Sequence, residues 1–173
     1  LDISSGWGDR LVSAIAHKIE FYCGVDPNEC LHNYYKNIIN TLDPNNKDKY
    51  MLIQDGFETA KLPNVEFDLV FTSPPFFDKE IYSSHSNDSL IKYNKSDVWF
   101  NEFLMVSLKK ALSFLKSGGH MVLYMGEGIG TNYLDRMVFE MNKVAKYLGN
   151  IYYYYDDKFI AKRFFVWQKY SEI

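Results

Sequence analysis

The residues of this chain that can do chemistry sit where apolar runs stop. The segment FDLVFTSPPFFDKE, residues 67–80, begins as a strand and then halts on Thr72, Ser73 and two prolines. Phe67, Leu69, Val70 and Phe71 are types that pleated, covered backbone favours. Pro74 and Pro75 restrict the backbone, so polar groups beside them are held in place before any ligand arrives. Phe76 and Phe77 follow at once, two large rings that cannot easily reach the core from there. Three further ends have the same character. Residues 2–9, DISSGWGD, place Asp2, Ser4, Gly6 and Gly8 between a strand end and a helix start, where glycine permits close approach of a ligand to backbone. Gly24-Val25-Asp26 closes the next strand, at a separation where a carboxylate can accept both hydroxyls of a ribose. Asp26 also fits as a cap for the helix begun by Pro27, and the two roles are compatible. Gln54-Asp55-Gly56-Phe57 ends a third strand, offering Asp55 to an adenine amino group and Phe57 to the ring face; Asp-Gly is an ordinary turn as well.

Regular elements must carry these ends to one place. Apolar spacing predicts helices over 10–19, 28–42, 97–115 and 132–148. The third is closed by Lys116-Ser117-Gly118-Gly119 and the last by Gly149. Strands are expected at the tail 1–3, then at 20–25, 50–54, 67–71, 120–125, 151–155 and 163–170. Alternating strands and helices imply a doubly wound, seven-stranded, mostly parallel sheet of the α/β class, helices on both faces. Residues 156–162 are too few for a parallel crossover, so the last strand should return antiparallel as a C-terminal hairpin.

Composition bounds the rest. The chain has 173 residues, 47% of them hydrophobic and 24% charged, enough for one domain over 1–173 with a real core. It opens on Leu1-Asp2-Ile3, the tail of a strand already under way, and so reads as an excerpt of a longer polypeptide. No apolar run is long enough for a membrane span, and no signal peptide is present. Cys23 and Cys30 read as reduced thiols of an intracellular protein, cytoplasmic or nuclear, and not as a metal or disulfide site. A formal charge of −3 argues against a self-sufficient nucleic-acid binder.

The order of glycine loop, strand-end acid, second acid and T-S-P-P-F resembles the class I S-adenosylmethionine-dependent amino-methyltransferases, whose fourth strand ends in (D/N/S)-P-P-(Y/F/W). The resemblance covers nearly the whole chain and is similar to DNA N4-cytosine and N6-adenine methyltransferases. It implies S-adenosyl-L-methionine as cofactor, with S-adenosyl-L-homocysteine as product, held by Asp2, Ser4, Gly6, Gly8, Asp26, Asp55, Gly56 and Phe57. It implies Ser73, Pro74, Pro75 and Phe76 as the catalytic tetrapeptide. A base amine is planar and a poor nucleophile; acceptors on residue 73 and the Pro74 carbonyl would take its hydrogens and aim its lone pair at the methyl group. Ser73 is a weaker acceptor than a carboxylate and is assigned orientation, the proton leaving to water. Phe76 would stack on a flipped base.

Residues 156–163 leave the same edge as these motifs if the sixth strand is parallel. Lys158, Lys162 and Arg163 would then bring positive charge to the rim, and Phe159 would wedge or stack; with Phe77 these form the expected substrate contacts. Residues 77–96, polar and carrying Tyr82, His85 and Tyr93, fit a lid or clamp, with His85 a solvated loop histidine. Trp99 and Phe103 are expected in the core, and Tyr152 to Tyr155 on a half-buried strand with their hydroxyls wet. The expected function is methylation of an exocyclic base amine, cytosine N4 or adenine N6, in DNA ahead of RNA. A protein amide or small amine as acceptor, and an inactive nucleic-acid-binding or activating subunit, remain as alternatives. No target-recognition segment of size is present, so specificity would come from further chain, a partner subunit or a single-stranded substrate.

Overall fold

The computed structural model describes residues 1–77, 89–126, 132–154 and 161–171. Helix α1 (Asp9–Ala16) follows the first glycine loop, and β1 (Tyr22–Val25), α2 (Glu29–Leu42) and β2 (Tyr50–Ile53) complete the first half. Then come β3 (Phe67–Thr72), the short α3 (Ser89–Lys92) and α4 (Ser96–Val98), a π-helical turn over Trp99–Leu104, and α5 (Met105–Ser113). The chain closes with β4 (Leu115–Tyr124), α6 (Tyr133–Met141), β5 (Ala145–Tyr154) and β6 (Ala161–Lys169).

β1 and β2 pair in parallel, while β3, β4, β6 and β5 lie side by side in that order. Residues 1–3 join the two sets. Asp2 bridges to Gly24 of β1 in parallel, and on the other side Leu1 donates to Leu69 and accepts from Phe71 of β3. One layer of seven strands results, ordered β2-β1-(1–3)-β3-β4-β6-β5. β6 alone runs against the rest, antiparallel to both β4 and β5. The doubly wound, mostly parallel sheet with an antiparallel last strand is therefore the architecture observed.

Local causes are plain in α2. Asn28 caps it by accepting from the Cys30 amide at 3.1 Å, and Leu31, Tyr35 and Ile39, four residues apart, form its buried stripe. With Leu11, Tyr22 and Tyr50 they make a small core on one face of the sheet. The larger core on the other face takes Leu108, Leu112, Met137 and Met141 from α5 and α6 against Val70, Met121, Leu123 and Trp167. In the π-helical turn Trp99, Phe100, Phe103 and Leu104 are all buried; the wider turn lets both pairs point inward.

Several boundaries differ from the expectation. The helix expected over 97–115 is the run 96–113, and Lys116 to Gly119 belong to β4, where the pairing with β3 shifts register between Phe67 and Leu69. A Cβ on Gly119 would meet the carbonyls of Lys116 and Asp68 at 2.9 and 3.1 Å, so glycine is needed there for close backbone approach. The helix expected over 132–148 ends at Met141, and β5 begins at Ala145, because β6 offers Lys169, Gln168 and Trp167 as partners. Gly149 sits in a bulge of β5, not at a helix end. β3 is covered on one face only: Leu69 and Phe71 remain 45% and 37% exposed. Phe76 and Phe77, expected outside the core, are both buried within it.

This layering sets a contrast between centre and edge. Leu123→Ala, at a fully buried position of β4, should cost about 2–5 kcal/mol. Ile151→Ala, on the exposed end of β5, should change stability by no more than about 0.5 kcal/mol. Urea midpoints at constant m-value measure both.

Candidate active site

Beneath the first loop lies a carboxylate that four elements share. Asp2 is 1% exposed. One oxygen accepts from Arg10 Nε of α1 at 2.8 Å and the Tyr22 hydroxyl of β1 at 2.9 Å. The other accepts from the Thr72 hydroxyl at the end of β3 at 2.9 Å and from the Ser4 amide at 3.3 Å. Arg10 also donates to the Ser4 carbonyl. Burial opposes the Arg10 charge, but Asp2 outweighs it and the guanidinium pKa lies above its ordinary value. Burial, aided by the charge of Asp2, pushes the Tyr22 phenol well above its usual range. Asp2, expected as a cofactor contact, is instead the buried anchor of the first glycine loop.

Above the anchor the backbone turns at Gly6, φ +54°, and again at Gly8, φ +90°. Their roles separate. Gly6 lines the cavity described below, and its carbonyl accepts from the Tyr35 hydroxyl of α2. Gly8 faces away from that cavity: a Cβ there would lie 2.9 Å from the Ile38 side chain, so it serves the packing of α1 on α2.

Asp26 closes β1 with both carboxylate oxygens engaged by backbone, one by the Gly6 amide at 2.8 Å and the other by the Asn28 amide at 2.9 Å. It therefore ties the glycine loop to the start of α2, while Asn28, and not Asp26 as expected, makes the cap. Burial raises its pKa, and the two backbone donors pull it back in part. Each oxygen retains acceptor capacity toward a ligand hydroxyl.

A cavity of about 210 Å³ opens over these groups. Ser4, Gly6 and Asp26 line one side, Gly56, Phe57 and Glu58 another, and Ser73 and Pro75 a third. Trp7, Arg10 and Phe103 also face it. The four strand ends expected to converge thus share a single opening. Asp55 is not among the lining residues; its carboxylate accepts from the Gly56 amide at 2.8 Å and the Thr59 hydroxyl at 3.1 Å within its own turn.

Glu58 stands where Asp55 was expected. Its side chain is 8% exposed, and one oxygen accepts from Lys92 at 2.9 Å and from the Tyr93 hydroxyl at 3.1 Å. The other oxygen is buried without a partner, pressed against Gly56, where a Cβ would lie 2.8 Å away. Lys110 of α5 holds the same loop, donating to the carbonyls of Phe57 and Ala60 at 2.7 and 2.6 Å. Sequence reading missed Glu58, Trp7 and Arg10. Arg10 had a signal, a cation in the first turn of a helix entered just after an acid. Glu58 had none.

Ser73 and Pro75 are half-buried at the opening, and Pro74 is buried between them. Phe76 packs edge-on against Tyr124, ring centres 5.6 Å apart, and a Cβ on Gly126 would meet it at 3.2 Å. It anchors the end of the tetrapeptide in the core and does not present an open platform. Phe77 is corrected likewise: its ring packs against Trp99 at 5.6 Å, in the core. Phe103, expected as core alone, is buried and also lines the cavity. Of the expected rim cations, Lys162 and Arg163 lie on β6. Lys158, Phe159, Tyr82 and His85 fall outside the described residues. Among the described residues there is no cluster of three or more metal-ligating side chains, and no helix long and apolar enough to cross a membrane.

This geometry has solved counterparts. An rRNA methylase of Streptococcus thermophilus superposes with TM-score 0.64 over 99% of this chain and 86% of its own, at 14% identity. The N-methyltransferase NodS of Bradyrhizobium japonicum WM9, in complex with S-adenosyl-L-homocysteine, superposes with TM-score 0.65 over 97% of this chain and 76% of its own, at 7% identity. The fold is the Rossmann-like fold of class I methyltransferases. In sequence, 72 residues are 39% identical to the type II methyltransferase M.MjaVI of Methanocaldococcus jannaschii; they make up 42% of this chain and 34% of that protein. The match thus spans about a third of the relative's length. No family model matches the chain.

The shared anchor predicts a graded loss of stability. Asp2→Asn removes the carboxylate paired with Arg10 and should cost about 3–5 kcal/mol. Thr72→Val removes one hydrogen bond to the carboxylate and should cost about 1.5–3 kcal/mol. Thr72→Ser, which keeps that bond, should fall well below both in the same denaturant titration.

Proposed function

We propose that this chain is an S-adenosylmethionine-dependent methyltransferase acting on an exocyclic amino group of a nucleic-acid base. The observation that carries the reading is the single cavity in which Ser73 and Pro75 meet Gly6, Asp26 and Phe57. The fold of class I methyltransferases and the 72-residue likeness to a type II methyltransferase support it. A nitrogen acceptor is supported by the N-methyltransferase among the structural neighbours, and a nucleic-acid target by the rRNA methylase.

The lining suits the cofactor chemically. Gly6 leaves the backbone bare where a Cβ would only meet the Ser4 carbonyl at 3.9 Å, so a ligand can approach it closely. Asp26 is the acceptor for ribose hydroxyls. Phe57 supplies an apolar face for the adenine, and Glu58, on the same wall, replaces Asp55 as the acidic residue facing the adenine amine. S-adenosylmethionine supplies, when bound, an electrophilic methyl group on a positively charged sulfur.

The chain's own residues then do three things. The Ser73 hydroxyl and the Pro74 carbonyl accept the hydrogens of the target amine, which frees its lone pair. The two prolines keep those acceptors in place, so little ordering is left for the reacting complex. Phe76, packed on Tyr124, fixes the end of the tetrapeptide, and Phe103 gives the cavity an aromatic wall. Ser73 lacks the strength of a general base at neutral pH, so the released proton goes to water.

Transfer of tritiated methyl from S-adenosylmethionine to DNA, RNA and protein fractions tests the reading. Label is expected in nucleic acid, and Ser73→Ala should lower it about tenfold to a hundredfold with S-adenosylhomocysteine binding unchanged. Label confined to protein would overturn the nucleic-acid target. Cofactor binding without transfer to any fraction would overturn the enzyme.

A further inference from the structure

The last two strands outrun the sheet they belong to. Thr72, the end of β3, pairs with Leu123, Leu123 with Phe165, and Phe165 with Asn150. β4 makes its final pairing with β6 at Tyr124 and Phe164. Beyond it three more rungs remain: Tyr152 with Arg163, Tyr153 with Lys162, and Tyr154 with Ala161. At about 3.3 Å per residue they form a two-stranded ribbon standing about 10 Å past the sheet, on the edge where Ser73, Asp26 and Gly56 lie.

Ribbon geometry explains what expectation missed about the tyrosines. Past the end of β4, β5 keeps β6 as its one strand neighbour among the described residues, and its side chains stay open on both faces. Tyr152, Tyr153 and Tyr154 are accordingly 50%, 55% and 61% exposed, none of them half-buried by a core. β5 and β6 carry Lys146, Lys162, Arg163 and Lys169 and no carboxylate, in a chain whose formal charge is −3. The connecting residues 155–160, with Asp156, Asp157 and Lys158, lie outside the described ones. Lys162 lies over the Tyr124 ring at 5.4 Å, and Arg163 over Phe165 at 4.5 Å.

Tyr152 and Tyr154 project from one face at two-residue spacing, about 6.8 Å apart along the strand. A stacked base occupies about 3.4 Å along its strand, so two rings at that spacing leave room for one base between them. Arg163, opposite Tyr152 on the same face, is placed for the adjoining phosphate; Lys162 serves the other face beside Tyr153. In a duplex both faces of a base are stacked on its neighbours, whereas a base in a free strand unstacks easily and can be inserted.

We propose that the β5–β6 ribbon is a binding arm for unpaired nucleic acid, in which Tyr152 and Tyr154 clasp a base flanking the target and Arg163 and Lys162 hold phosphates. This rests on the nucleic-acid reading of the site and deepens it. It also supplies a source of selectivity, a single-stranded substrate, within the chain itself.

Fluorescence anisotropy of an end-labelled oligothymidylate, alone and annealed to its complement, tests the arm directly. The wild-type protein should bind the free strand more tightly than the duplex. Tyr152→Ala with Tyr154→Ala should weaken free-strand binding at least about tenfold, while the paired Phe substitutions keep it. Lys162→Gln with Arg163→Gln should flatten the salt dependence by about one to two units of slope. S-adenosylhomocysteine titrations of every variant report that the fold is kept. Equal binding by the alanine variant, preference for duplex, or no strand binding by the wild-type protein would each overturn the arm. Methyl transfer to bases that is indifferent to the tyrosines would sink the arm and leave the enzyme reading standing. Strand binding that depends on them, without any transfer to nucleic acid, would do the reverse.

Discussion

The structure turns on the burial of one negative charge. A carboxylate out of water is costly, and bonding its oxygens fully and setting a cation beside it offsets that cost. Asp2 does so by drawing Arg10 from the first helix, Tyr22 from the neighbouring strand, Ser4 from the glycine loop and Thr72 from the strand on its other side. Each donor belongs to a different element, so satisfying the charge fixes their relative positions. The cavity above inherits that order: its floor is the loop that Asp2 holds, and the wall made by Ser73 and Pro75 begins one residue after Thr72.

Much of this was legible before any coordinates. Strand-helix alternation and the short last connection were enough for a mixed sheet with one reversed strand, because those features depend on chain length and periodicity alone. Convergence of Gly6, Asp26 and Ser73 followed from the same topology, since parallel strands deliver their ends to one edge. What stayed hidden depended on partners distant in sequence. The segment carrying Val144, Ala145, Leu148 and Gly149 reads as a helix and its stop, yet the open edge of β6 needs hydrogen bonds and draws it into a strand. Local propensity yields to that demand.

Side-chain roles followed the same divide. Asp55 and Glu58 are three residues apart in one turn, and nothing in their spacing says which will curl back on its own backbone. The structure decides it through Lys92, Tyr93 and Gly56, contacts no local pattern encodes. Gly6 and Gly8 look equivalent as letters, but one borders the cavity and the other admits Ile38. Phe76 and Phe77 appeared stranded beyond two prolines; Tyr124 and Trp99, far along the chain, bring them inside.

The helical run 96–113 contributes to the cavity twice. Phe103 faces the opening from its π-helical turn, and a turn or two further on Lys110 grips the carbonyls of Phe57 and Ala60 behind the opposite wall. Both jaws are therefore carried by one stiff rod. A roll or slide of that run would move both jaws together, which couples the width of the gap to the helix as well as to the residues that line it.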